Sequence, residues 1–395
     1  MARILHTSDW HVGKGIRGRS RADEHRAVLA EIAGLAAEHR VDLVVVAGDV
    51  FDTAAPKPDA EEIAYRALLD LADAGAQVAV ISGNHDSAQR LRAVGPLLGR
   101  AGVHVLTEPT RPDAGGVRRV ELAGGEALEL VLLPFVSQRG IVRADQLMHD
   151  AAHEHAQAYA ERLAGLVGLL CADLDPALPA VLASHSFVLG ARAGGGERAA
   201  HLVEEYAVPA TCFPATVGYV ALGHLHRAQK LPGATQIHYC GSPLQLDFGE
   251  AAEAKQVNLV EVAAGRPAKV TPIPLRQGAP LHTLVGTLDA IVDAAGPLPE
   301  AAWLRARVDE PRRAGLADDL RHALGPRADR LVDVQVLGTP DEQRADRPTV
   351  EGRSPRDLFG EFLAARGIDD PKLAALFDRL HDEAAGAGSD EQDAA

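Results

Sequence analysis

The sequence predicts an α/β layer fold, and three observations carry that expectation. Apolar runs of strand length, rich in β-branched residues, recur through the first 260 residues; Val41-Asp42-Leu43-Val44-Val45-Val46 is the clearest. Stretches of helical spacing alternate with them, such as residues 20–40 through Val28, Ile32 and Leu35. Several runs also end in a short cluster of Asp, His, Asn or Gly, as expected where strands deliver side chains to one edge of a sheet.

In chain order, residues 2–7 form a first strand, 20–40 a helix and 41–46 a second strand. A helix over 59–74 and a strand over 77–82 repeat the unit. Strands follow near 103–106, 117–122 and 127–134, then a long helical stretch over 145–170. Further strands fall near 180–185, 216–223, 237–239 and 256–262. Pro272, Pro274 and Gly278 break the pattern, which closes a first domain over 1–276. A smaller α+β unit spans 280–338, with a helix near 284–294, a strand at 303–308, a helix at 317–324 and a strand at 331–336. Residues 339–353 are polar, hold Pro340 and Pro348, and read as a linker. Residues 354–383 form two short amphipathic helices, and 384–395 is an acidic, small-residue tail expected to be disordered.

Composition narrows the function classes. At 395 residues with 47% hydrophobic content the chain can bury a sizeable core. It has no apolar run long enough for a membrane span. The N-terminus lacks the regions of a signal peptide. Three widely spaced cysteines form no zinc or disulfide pattern, and together these point to the cytoplasm. The net charge of −15 argues against a broad nucleic-acid-binding face, because phosphate neutralisation supplies much of such affinity. DNA would have to be held by local patches, by metal or by a partner.

Five motifs carry the chemistry, each directly after an apolar run. They are Asp9-x-His11, Gly48-Asp49-Val50-Phe51-Asp52, Gly83-Asn84-His85-Asp86, His185 within Ser184-His185-Ser186-Phe187, and Gly223-His224-Leu225-His226. Two divalent cations about 3.5–4 Å apart can clamp a phosphate, with a bridging carboxylate between them and imidazole or amide groups completing the shells. Asp49 suits the bridge. Asp9, His11 and His226 suit one cation, and Asn84, His185 and His224 the other. His85 remains as a general acid for the leaving oxygen, with Asp86 beside it. Singly, each motif has a blander reading as turn chemistry or a surface histidine. Five in this order at strand ends outweigh those readings. The glycines before Asp49, Asn84 and His224 are expected to let the chain turn sharply as each strand ends.

The ordered set resembles the calcineurin-like metallophosphoesterase superfamily over roughly residues 3–260. Within it the wording is similar to the SbcD family, nuclease subunits of bacterial SbcCD complexes. The stretches that carry this are Leu5-His6-Thr7-Ser8-Asp9-Trp10-His11, Gly48-Asp49-Val50-Phe51-Asp52, His185-Ser186-Phe187-Val188, Gly223-His224-Leu225-His226-Arg227 and the non-metal stretch 241–250. The resemblance implies a four-layer sandwich of two mixed β-sheets flanked by helices, with a capping domain that selects DNA shape. It implies Mn²⁺, or Mg²⁺, as cofactor. It also implies double-strand 3′–5′ exonuclease and single-strand or hairpin endonuclease action in DNA repair, recombination and replication. An SbcC-type coiled-coil ATPase is the implied partner, around a homodimer within a heterotetramer. A relative that hydrolyses a small nucleotide or another phosphoester is the alternative.

Lys14, Arg17, Arg19, Arg21, Arg90 and Arg92 lie near the first and third motifs and are candidate DNA contacts, or simply a solvated face. Leu358, Phe359, Phe362 and Leu363 share one helical face, and Leu373, Leu376, Phe377 and Leu380 another. These faces either pack on their own domain or dock on the partner, which the resemblance favours. The glycine-rich segment 191–198 receives no role.

Overall fold

The computed structural model describes residues 1–122, 125–137, 152–197 and 207–337, and beyond them only parts of 359–380. The chain divides into two compact units, residues 1–337 and 338–395.

Two six-stranded sheets dominate the first unit. In one, the parallel strands β1 (Ala2–Thr7), β2 (Leu43–Ala47), β3 (Gln77–Ile81) and β4 (Val103–Leu106) lie side by side. The other sheet holds β5 (Val117–Glu121), β6 (Ala127–Leu133), β7 (Ala180–His185), β10 (Tyr219–Gly223), β11 (Gln229–Leu231) and β12 (Gln236–Tyr239), in the order β11-β12-β10-β7-β6-β5. A two-stranded ribbon, β8 (Phe187–Val188) with β9 (Ala207–Val208), stands apart. On the free side of β1 in the first sheet run antiparallel β13 (Gln256–Val262) and β14 (Lys269–Pro274).

Strand alternation assigns each face. Leu43, Val45 and Ala47 of β2 meet Val181, Ala183, Tyr219 and Ala221 in a core between the sheets. Val44 and Val46 point the other way, onto Val28, Ile32, Ile63 and Leu68 of α1 (Ala22–Glu38) and α2 (Pro58–Asp73). The second sheet is covered by α4 (Ala152–Cys171) through Tyr159, Leu163 and Val167. Central parallel strands are buried on both faces, which explains why they read as continuous apolar runs rather than alternating ones.

The sequence misplaces several elements, for visible reasons. Pro272 and Pro274, expected to end the pattern, sit in β14, an edge strand where a missing N–H costs no ladder bond toward a further strand. A helix α3 (Ala88–Gly99), capped by the Ser87 hydroxyl on Arg90 N, follows the third motif directly. Where a helix is expected from Leu284, the chain runs as β15 (Leu281–Gly286), and α5 (Leu288–Ala295) starts only after the Thr287 cap. With β16 (Trp303–Val308), α6 (Leu316–Leu324) and β17 (Leu331–Val336) it makes a sheet whose three strands are all parallel. The small unit is therefore β-α-β-α-β rather than α+β.

In the second unit Phe359 and Phe377 stack at 4.1 Å, while Leu363 is buried and Leu373, Leu376 and Leu380 are exposed. Leu358 and Phe362 lie outside the described residues, as do the expected linker, the acidic tail and residues 145–151. Among the described residues no helix is long and apolar enough to cross a membrane.

Candidate metal centre

The carboxyl ends of β1, β2, β3, β7 and β10 bring the five motifs to one buried place. Asp9, His11 and His226 each offer a ligand atom within 4.8 Å of the others, and so do Asp9, Asp49 and His185. Asp9 belongs to both groups. Asp49 Oδ2 lies 3.5 Å from His11 Nε2 and 3.4 Å from His185 Nε2, so one carboxylate oxygen faces both halves. Asn84 Oδ1 stands 2.9 Å from both His185 Nε2 and His224 Nδ1.

Backbone strain holds these residues. Asp9, His11, Asp49 and His224 all have positive φ, a conformation uncommon for non-glycine residues, although Asp and His adopt it more readily than most. Cross-loop bonds hold them there: Asp9 N to Gly48 O, His11 N to Asp49 O, and His224 N to the Asp9 carboxylate. Of the three motif glycines, only Gly48 has positive φ. Gly83 is required for space instead: a Cβ there would stand 2.1 Å from Asp49 Oδ1 and 2.4 Å from Asp49 N. Gly83→Ala is accordingly expected to cost about 1–3 kcal/mol of stability and to weaken cation binding. Thermal unfolding with and without Mn²⁺ measures both.

The ring nitrogens are set by their outer partners. His185 Nδ1 donates to Ala47 O at 2.8 Å, which turns Nε2 inward. His226 Nδ1 meets Glu250 Oε1 at 2.8 Å, and its Nε2 faces His11 Nε2 at 3.1 Å. His85 Nδ1 donates to the Asp52 carbonyl at 2.7 Å, so Nε2 is the nitrogen positioned for proton exchange. The His85 side chain lies beside His11, ring centroids 4.6 Å apart, while its backbone N–H donates to Asp49 Oδ1.

Charge explains why the site fits divalent cations. Burial pushes the Asp9 carboxyl up to about 6. Burial would also raise Asp49, but the His185 charge and hydrogen bond, with His11 and His85, hold it well below the usual carboxylate range. Burial alone would lower His185, yet Asp49 and Asp9 lift it to about 9. Fully buried carboxylates and imidazoles thus lean on one another, with two imidazole nitrogens face to face. That donor set, carboxylate, imidazole and amide oxygen, suits borderline-hard divalent cations.

Some sequence-selected residues take other parts. The Asp86 carboxylate accepts the N–H groups of Val50, Phe51 and Gly83, tying the second motif to the third. Burial and the nearby Asp49 charge raise its carboxyl to about 7. Arg21 is buried, paired with Glu24 and bonded to Gln245 O, so its expected DNA contact gives way to an anchoring role. Lys14 pairs with Asp52, Arg17 with Asp333, Arg90 with Glu61 and Arg92 with Glu108. For Arg19 no ion pair occurs among the described residues. Four further residues border the site that sequence reasoning does not select: Asp52, Glu197, Glu250 and Lys255. Asp52 and Glu250 fall within family-like stretches, but nothing in their spacing marks them as partners of ligand residues.

Comparison with known proteins agrees with this geometry. Residues 2–228 match the family model described as Calcineurin-like phosphoesterase. Three curated proteins, each named as the SbcD component of an SbcCD nuclease, are 32% identical to the chain. That of Bacillus subtilis aligns over 99% of this chain and 100% of its own length, that of Escherichia coli K12 over 95% and 96%, and that of Rhodobacter capsulatus over 78% and 81%. The chain belongs to the SbcD family of calcineurin-like phosphoesterases. It is a metal-dependent phosphodiesterase of the nuclease type, with a site suited to a pair of divalent cations.

Proposed function

We propose that the chain cleaves DNA at double-strand ends, as a 3′–5′ exonuclease, and at hairpins, as an endonuclease, in the cytoplasm and together with an SbcC-type ATPase. The single observation that carries the reading is the convergence of Asp9, His11, Asp49, Asn84, His185, His224 and His226, with His85 beside them. In this reading Asp9, His11 and His226 would hold one cation, Asn84, His185 and His224 the other, and Asp49 would be shared between them. The chemistry that two divalent cations, Mn²⁺ with Mg²⁺ as the alternative, would supply when bound is stabilisation of charge developing on the phosphate. The chain's own residues do the rest. Asp9 and Asp49 supply negative charge that offsets part of the charge of the cations, and the tautomers of His185 and His226 are fixed from behind. His85, pinned at Nδ1, gives a proton from Nε2 to the departing oxygen.

Substrate choice rests on the parts outside the metal centre: the unit over 280–338 and the C-terminal helices. A small-molecule phosphodiesterase needs none of them. The test is cleavage of a labelled hairpin and a blunt duplex with Mn²⁺, beside a chromogenic phosphodiester. Hydrolysis of the small ester alone, even with the ATPase added, moves the protein to the small-phosphoester alternative.

Arg19, Lys14 and the half-exposed Arg17, Arg90 and Arg92 are the candidate DNA contacts of this reading. The exposed Leu373, Leu376 and Leu380, at helical spacing, support docking of the second C-terminal helix on the partner ATPase. Removal of residues 350–395 is expected to abolish that binding in a pull-down and to leave Mn²⁺-dependent cleavage of a simple substrate intact. A homodimer within a heterotetramer completes the proposal.

A further inference from the structure

Behind His226 lies a largely buried network, of which the metal-centre reading uses only the tautomer that it sets. Glu250 places Oε1 on His226 Nδ1 at 2.8 Å. Its other oxygen accepts from Lys255 Nζ at 2.6 Å, Leu246 N at 3.1 Å and Ser242 Oγ at 3.3 Å. Lys255 Nζ also donates to His226 O at 3.0 Å, and Glu197 Oε1 accepts His226 N at 2.9 Å. The ligand residue is therefore gripped at its amide N–H, its carbonyl and its ring.

The glycine-rich segment closes this grip. Glu197 accepts the N–H groups of Gly194 and Gly195, drawing the strand of glycines over the pair. A Cβ at Gly196 would stand 2.2 Å from Glu250 Oε1 and 2.8 Å from His226 Nδ1, so no side chain fits there. The counterpart in the other half is plainer: His185 Nδ1 rests on the neutral Ala47 carbonyl. A carboxylate behind an imidazole fixes its tautomer and raises its basicity more than a neutral carbonyl does.

We propose that Glu250, held by Lys255 and sealed in by the Gly194–Gly196 strap, is the positioning residue for His226 and sets the affinity of one cation site of the pair. This rests on the metal-centre reading above. The full-length, metal-free chain titrated calorimetrically with Mn²⁺ tests it, using the wild type, Glu250→Gln and Gly196→Ala. Glu250→Gln is expected to weaken one site by about 10–100-fold and to leave the other unchanged. Cleavage is expected to return at saturating Mn²⁺, which a folding defect would not allow. Gly196→Ala removes no charge yet displaces the same pair, so the same one-site shift is expected. Both sites unchanged in both variants would overturn the proposal, as would equal loss at both sites with no recovery at high Mn²⁺. A wild type that binds no Mn²⁺ would overturn the metal-centre reading itself.

Discussion

His85→Ala is expected to lower kcat on DNA by about 10²–10⁴-fold, the range typical of losing a positioned general acid, with KM and Mn²⁺ affinity little changed. The separation of effects follows from how His85 is held. Its side chain is pinned through Nδ1 to the Asp52 carbonyl, whereas its contact with Asp49 runs through the backbone N–H. Alanine removes the ring and keeps the N–H, so the bridging carboxylate stays in place. Substrate chemistry gives a second check. A nitrophenyl leaving group departs without needing a proton, so the variant's loss on such an ester should shrink to less than about tenfold. Equal losses on DNA and on the aryl ester, measured by steady-state kinetics, would remove the general-acid role.

Asp49→Asn has the larger expected effect, because one oxygen of this buried carboxylate faces both His11 and His185. The amide has nearly the same shape but no charge to offset two cations, and it leaves His185 without the negative partner that raises it. Removing one member of a buried ion pair commonly costs about 3–5 kcal/mol, and here cation binding is lost with it. Cleavage should fall below detection. The sharper readout is Mn²⁺-induced stabilisation in a thermal melt, which depends on binding by the native state alone. A large upward shift for the wild type should all but vanish in Asp49→Asn.

The parts of the centre legible in the sequence are those set by strand ends. Asp9, Asp49, Asn84, His185 and His224 follow apolar runs directly, so residue type and position coincide there. What stays hidden acts through other residues. Glu250 and Glu197 serve His226 from separate segments, and Asp52 serves His85 through a backbone carbonyl that any residue possesses. Basic residues are a poor guide for a related reason: a sequence cannot show that Arg21 is buried against Glu24. The small unit reads wrongly because Leu281, Leu284, Val285 and Leu288 happen to keep helical spacing across the end of β15 and the start of α5. The Gly286-Thr287 pair, one residue at positive φ and the next a helix cap, is the local break that separates the two elements.

The most direct test of a shared two-cation centre is a count of ions. The metal-free chain and Asp49→Asn would be dialysed to equilibrium against Mn²⁺ and the bound metal measured by atomic emission. Two ions per wild-type chain, with marked loss in the variant, is the expected result. No bound metal, or full occupancy that survives Asp49→Asn, would contradict a centre bridged by Asp49.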